Sequence, residues 1–132
     1  MRTRIKLVLA TVGVASVGAA FAGVAIAADP TDNTNVPHAQ AAAAVPANGA
    51  NARKTNTVES VQKVATGRYC INLVPGVDAA KAIPQATLEN GADWDASIFL
   101  SRNHSSCKNN SIRVTTGTSK GASDQPFYVV IP

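Results

Sequence analysis

Apolar and polar residues alternate in short runs along the second half of the chain, and turn-forming residues separate these runs at fairly even intervals. The clearest run is GRYCINL (67–73), in which Tyr69, Ile71 and Leu73 fall on one face and Cys70 on the other. Alternation with a period of two is typical of a strand that buries one face. The repeated pattern predicts an all-β domain over residues 57–132.

The same pattern predicts about six strands that pack as a compact antiparallel sandwich. Pro84 cannot donate a backbone hydrogen bond, so the strand that contains it, 83–88, is expected at a sheet edge. The first segment is ambiguous, because its valines recur every three residues and would also suit a helix. The predicted strands are 57–65, 68–73, 83–88, 96–101, 111–116 and 126–131, and the intervening loops include 75–81, 89–95 and 102–110, with a long polar connection at 117–125.

The first 27 residues have the three parts of a secretory signal peptide. A basic start precedes an apolar stretch rich in Ala, Val and Gly, which ends in the small-residue sequence AIA at 25–27. A retained membrane anchor is the alternative, because the stretch approaches the roughly 20 residues that span a bilayer. Cleavage after Ala27 predicts a secreted protein, extracellular or associated with the cell envelope, without a stable membrane anchor.

Residues 28–56 predict a flexible, disordered tether between the signal peptide and the domain. The segment is rich in Ala, Asn and Pro, and its only strong apolar residues are Val36 and Val45. Such a segment buries too little apolar surface to offset the entropy cost of ordering it. Docking of part of this segment on the domain is the alternative.

The formal charge of the whole chain is +4, from 12 basic and 8 acidic residues. The signal peptide holds three of the basic residues and none of the acidic ones, so its removal leaves about +1. The remaining lysines and arginines are scattered singly, whereas nucleic-acid binding requires a clustered basic face. Nucleic acid is therefore not an expected partner.

Cys70 and Cys107 are the only cysteines in the chain. An even number of cysteines in a small exported domain predicts a disulfide. This bond would close a loop of about 37 residues and stabilise the domain by about 3–4 kcal/mol in the chain-entropy model. A metal site that adds His104 to the cysteines, or a reactive thiol, are the alternatives; neither has the usual Cys-x-x-Cys spacing.

The predicted loop ENGADWD (89–95) contains the most distinctive candidate binding residues, Asp93, Trp94 and Asp95. Trp94 between two acids could be an exposed surface on which a sugar ring stacks. It could equally fill the end of the sandwich, and the shortage of aromatic residues in the domain favours this second role. The acids of this loop, with Glu89 and Asn90, could also bind calcium, although their spacing differs from that of an EF-hand.

The polar loop around Cys107 contains His104, the one candidate for a general base in the domain. A serine hydrolase would combine it with Asp124 and with Ser101, Ser105 or Ser106, but the chain has no G-x-S-x-G motif and the domain is small for a triad with a pocket. No cofactor and no metal ion are expected, and no catalytic residue is assigned.

The sequences TGRYCINL, IRVTT and DQPFYVVIP, with a single later cysteine, resemble small exported bacterial proteins, many of them actinobacterial. These proteins have a signal peptide, a spacer and a β-domain that opens with a G-x-Y-C-like strand. The resemblance covers residues 57–132 and implies a fold and a compartment, but no activity. A similar strand arrangement occurs in β-rich attachment modules of phage tail fibres, an analogy of fold alone.

These observations predict a secreted or envelope-associated, non-enzymatic interaction module that binds an unidentified glycan or protein. Its expected binding surface combines the loops 89–95 and 102–110, with Trp94, Asp93, Asp95 and His104. Two alternatives remain: a structural surface component that self-associates through the edge strand near Pro84, and a small extracellular hydrolase that uses His104.

Overall fold

The computed structural model describes residues 36–132, and the predicted signal peptide lies outside them. The described residues form two antiparallel sheets that pack face to face, which confirms the predicted all-β sandwich. The only helical element among them is a 3₁₀ turn at Ala79–Lys81. The nine strands are β1 (Ala41–Val45), β2 (Arg53–Lys54), β3 (Val58–Ala65), β4 (Arg68–Leu73), β5 (Gln85–Leu88), β6 (Ser97–Arg102), β7 (Ser111–Thr118), β8 (Gly121–Ala122) and β9 (Phe127–Ile131).

One sheet has the strand order β2-β1-β9-β5. The other has the order β3-β4-β7-β6, and the short β8 also pairs with β7. Segment 58–65 is a strand and not a helix, because it forms a hairpin with β4. The turn of this hairpin requires glycine: Gly67 has a φ of +66°, and an added Cβ would clash with the carbonyl oxygen of Thr116.

The predicted tether is wrong for the part of it that the structure describes. Residues 41–45 form β1, which lies between β2 and β9 in the middle of its sheet. Ala41, Ala43 and Val45 face the core and are almost completely buried. Alanine has a low strand propensity, but pairing with β9 along all five residues and burial between the sheets override this preference.

The core lies between the two sheets and has Tyr69 and Phe127 at its centre. Their rings meet edge to face with a centroid distance of 5.0 Å. The Tyr69 hydroxyl donates a hydrogen bond of 2.6 Å to the carbonyl of Ala47, just after β1. Burial is the main cause that raises the pKa of Tyr69, with the charge of Asp124 as a second. Tyr69 of β4 thus anchors the segment that follows β1 in the other sheet.

Candidate functional site

Trp94 projects fully into solvent from the loop between β5 and β6, with a relative accessibility of 105%. The interpretation that it fills the end of the sandwich is therefore wrong. The core does not need a third large aromatic group, because Tyr69 and Phe127 already occupy the space between the sheets. Trp94 is free to contact a ligand.

The loop around Trp94 is held on both sides by side-chain hydrogen bonds. Before it, the buried Gln125 accepts a hydrogen bond from the Asp93 N–H at 2.9 Å and donates one to the Asp93 carboxylate at 3.0 Å. After it, the Asp95 carboxylate accepts hydrogen bonds from the hydroxyl (2.7 Å) and the N–H (3.3 Å) of Ser119. These bonds lower the pKa of Asp95. These bonds hold the backbone on both sides of Trp94, while the indole itself is left exposed.

The acids of this loop do not converge on a common point. Asp93 is hydrogen-bonded to Gln125 and Asp95 to Ser119, whereas Glu89 lies near Tyr128 and raises the pKa of that tyrosine. Within residues 36–132 no group of three or more His, Cys, Asp or Glu side chains is close enough to hold a metal ion. The arrangement does not favour the calcium alternative.

The second loop predicted for the binding surface, 102–110, is attached to the outer face of the five-stranded sheet. The Cys70–Cys107 disulfide, with a Cα–Cα distance of 5.6 Å, is confirmed. Asn110 fixes the end of this loop: its side chain accepts from the Ala79 N–H and donates to the carbonyls of Leu73 and Val74. This coverage explains why Cys70 is buried although it lies on the face of β4 opposite the core.

His104 is half-buried in this loop and has its ring nitrogens occupied. Nδ1 accepts a hydrogen bond from the Ser106 N–H at 3.1 Å and lies 2.9 Å from the Ser106 hydroxyl oxygen. The Arg113 guanidinium lies 3.0 Å from Nδ1 and 2.8 Å from Nε2. A hydrolase would place a carboxylate where this arginine lies, to orient the histidine.

The acid that a triad would need is held elsewhere. Asp124 accepts a hydrogen bond from the Gly67 N–H at 2.6 Å and forms an ion pair with Lys63 at 3.2 Å. Gly67 bonds to Thr116, whereas the His104 loop joins β7 at its opposite end, at Ser111. The structure does not bring Asp124 to His104.

The two predicted binding loops do not form one surface. The loop 89–95 precedes β6 and the loop 102–110 follows it, so a strand of six residues lies between them. At about 3.3 Å per residue the strand separates the loops by roughly 17 Å. Trp94 and His104 therefore belong to opposite ends of the five-stranded sheet.

A groove on the outer face of the four-stranded sheet was missed in the sequence, because it is built from β1. Ala44 pairs with Arg53 on one side and with Tyr128 on the other, so the small methyl group lies between two large side chains. Strand spacing places the backbones of Arg53 and Tyr128 about 10 Å apart, wide enough for one ring. The groove has a volume of about 600 Å³, and Glu89 contributes to its wall.

Opposite charges border this groove. Glu89 raises the pKa of Tyr128, through hydrogen bonding first and through its negative charge second, while Arg53 acts in the opposite direction. Glu89 is also the first residue of the loop that carries Trp94. The groove and that loop therefore meet at one residue, and together they can offer aromatic surface, a cation and carboxylates to a ligand.

Among residues 36–132 there is no helix with the length and apolar character needed to cross a membrane. The chain matches no family model, no curated protein and no solved structure.

Proposed function

We propose that this protein is a non-catalytic binding module that acts outside the cytoplasm, in the medium or at the cell envelope, with Trp94 as its main ligand contact. The observation that carries the proposal is the complete exposure of this indole on a loop held at both ends. Tryptophan is the residue type most enriched among those that dominate binding energy. A fixed loop also loses little entropy on binding.

A glycan is the ligand that these groups fit best. The flat indole can cover the apolar face of a sugar ring, while the neighbouring Asp93 and Asp95 carboxylates can accept hydrogen bonds from its hydroxyls. The groove next to Glu89 offers a second place for a ring, between Arg53 and Tyr128. A protein ligand with an exposed apolar group is the second candidate, and it would use the same indole.

Export of the protein is part of the proposal. The signal-peptide pattern of residues 1–27 supports it, and the disulfide agrees with an oxidising compartment. Intact mass of the protein from the medium and from the membrane fraction tests it. A secreted chain that starts at Ala28 is expected, and a membrane-bound chain that retains Met1 would contradict it.

The ligand can be sought through Trp94 itself, because it is the only tryptophan of the chain. A neutral quencher such as acrylamide should quench its fluorescence almost as fully as that of free tryptophan. Soluble oligosaccharides and fragments of the host cell envelope are then added. A ligand that covers the indole shifts its emission to shorter wavelength and protects it from the quencher, whereas unchanged quenching with every fraction contradicts the proposal.

Variants distinguish binding at the Trp94 loop from binding in the groove. Trp94→Phe, which keeps a flat ring, should retain part of the binding, and Val64→Ala removes an exposed apolar side chain elsewhere as a control. Ala44→Leu fills the groove from its floor without touching the core. Loss of binding in Ala44→Leu assigns the groove to the same ligand; full binding restricts the site to the Trp94 loop.

A further inference from the structure

A sheet edge with unpaired backbone groups can add a further strand, and most folds protect their edges against this. The four edges of this sandwich are β2, β5, β3 and β6. β2 has two residues, and β5 has four and follows Pro84. β3 is longer, but two irregularities between Val58 and Ala65 interrupt its register, and Glu59 and Lys63 place charges on it. Three of the four edges are thus poor templates for pairing.

The β6 edge lacks the short length, the proline and the bulges that protect the other three edges, although the segment before β5 lies against its Arg102 end. All six of its residues pair with β7 in regular register, with no bulge and no proline. Its one charged residue, Arg102, is turned away to donate hydrogen bonds to the carbonyls of Ala80 and Ala82. Phe99 lies on the outer face of this strand and is 65% exposed. A regular edge with an exposed aromatic side chain is what strand addition uses.

The ladder fixes which backbone groups are free. Asn103 donates from its N–H to the Ser111 carbonyl, so residues 103, 101, 99 and 97 face β7 in hydrogen-bonded pairs. The Thr116 N–H donates to the Gly67 carbonyl on the other side of β7, so the even-numbered residues of β7 point away from β6, as this pattern requires. The N–H and C=O groups of Ile98, Leu100 and Arg102 therefore point away from β7, to the side where no strand among residues 36–132 pairs.

The sequence of β6 indicates which strand fits there. Residues 97–101 read Ser-Ile-Phe-Leu-Ser, which is nearly the same in both directions. Two copies placed antiparallel about a two-fold axis at Phe99 match serine with serine, Ile98 with Leu100, and Phe99 with Phe99 of the other copy. In this register Ile98 and Leu100 exchange all their free hydrogen bonds, and the phenylalanines form the closely spaced pair.

We infer that the protein forms a symmetric dimer in which β6 of one copy pairs antiparallel with β6 of a second copy about Phe99. Aromatic pairs directly opposite each other stabilise a sheet, and no like charges face each other in this register. The contact is isologous, so it closes at two copies and does not extend to a filament. The dimer displays two Trp94 loops, so a polymeric ligand could be held at two points. The sequence suggested self-association through the edge strand near Pro84; this inference places the contact at β6 instead.

Sedimentation equilibrium of the oxidised protein over a wide concentration range tests the dimer. We expect a monomer–dimer equilibrium for the wild type and a dimer weakened at least about tenfold in Phe99→Lys, because two lysines would face each other at the axis. Val64→Lys adds the same charge on the irregular β3 edge and should dimerise like the wild type. A wild type that stays monomeric at every concentration, or a Phe99→Lys variant that dimerises normally, overturns the inference.

Cross-linking tests the register. Directly opposite positions have Cβ atoms about 4.5–5.5 Å apart, so Phe99→Cys should form an interchain disulfide on mild oxidation. Ser101→Cys is the control, because four residues separate it from the position that faces its own copy, about 13 Å along the strand. Equal cross-linking of both variants, or none with Phe99→Cys, contradicts the register. The readouts need no ligand, so a failure of the Trp94 proposal leaves them unchanged.

Discussion

The loops at the two ends of β6 are both polar, and the proposed function gives them opposite roles. The loop around Cys107 is attached to the rest of the domain by a disulfide and by the side chain of Asn110, so it stabilises the fold. The loop 89–95 uses its hydrogen bonds to hold a tryptophan out of the fold. In this account the first loop stabilises the domain and the second presents a ligand contact, and the groups to which their side chains are bonded separate the two cases. Changes in the first loop should lower stability, and changes in the second should lower binding.

The largest effect is expected from the disulfide. Replacement of both cysteines by serine should lower the free energy of unfolding by about 3–4 kcal/mol, because the unfolded chain is no longer cross-linked. This is a large part of the total for a small domain. Urea unfolding measures the loss. A change below about 1 kcal/mol would contradict this account of the disulfide.

Asn110→Ala should have the next largest effect, about 2–3 kcal/mol. The change leaves the Ala79 N–H and the carbonyls of Leu73 and Val74 without their partner, and it places alanine at a φ of +62°. Asn109→Ala changes the exposed neighbour and is the matched control. Equal stability of the two variants would show that this loop is not fastened through Asn110.

Ser119→Ala removes the partner of Asp95 in the Trp94 loop and should lower stability only slightly, because the hydrogen bonds between the two residues are exposed to water. The effect should depend on pH. The pKa of Asp95 is lowered in the fold from 3.8, so this contribution is present above pH 3.8 and is lost as the pH falls through the lower folded value. Melting curves of the variant and the wild type should therefore differ near neutral pH and converge in acid. A difference that grows in acid would contradict the assignment.

The smallest effect concerns Tyr128 in the groove, and it leaves stability near neutral pH unchanged. Its pKa is raised above 10.0 by the hydrogen bond to Glu89 and by the negative charge of this residue, so Glu89→Gln should lower it. Ultraviolet titration measures the change, and Tyr128→Phe identifies the signal of the other tyrosine, Tyr69. Any stability that this raised pKa contributes is present below pH 10.0 and lost as the pH rises through the folded value. An unchanged titration would show that Glu89 is not the residue that raises the pKa of Tyr128.

The strands of residues 57–132 could be predicted because their apolar residues alternate strictly, as Phe127, Val129 and Ile131 do in β9. β1 could not, because AAAAV carries no alternation and its burial depends on β9, more than 80 residues later in the chain. The groove was missed with it. The exposure of Trp94 was misjudged for a related reason, since the sequence does not show that Tyr69 and Phe127 already fill the core.

The central claim is that Trp94 serves binding and not the fold. Thermal unfolding of Trp94→Ala, measured beside its retention on host cell-envelope material, tests it most directly. The account predicts a melting temperature within about 1 °C of the wild type, because the side chain buries no surface, together with loss of retention. A melting temperature several degrees lower, or retention equal to that of the wild type, would contradict it.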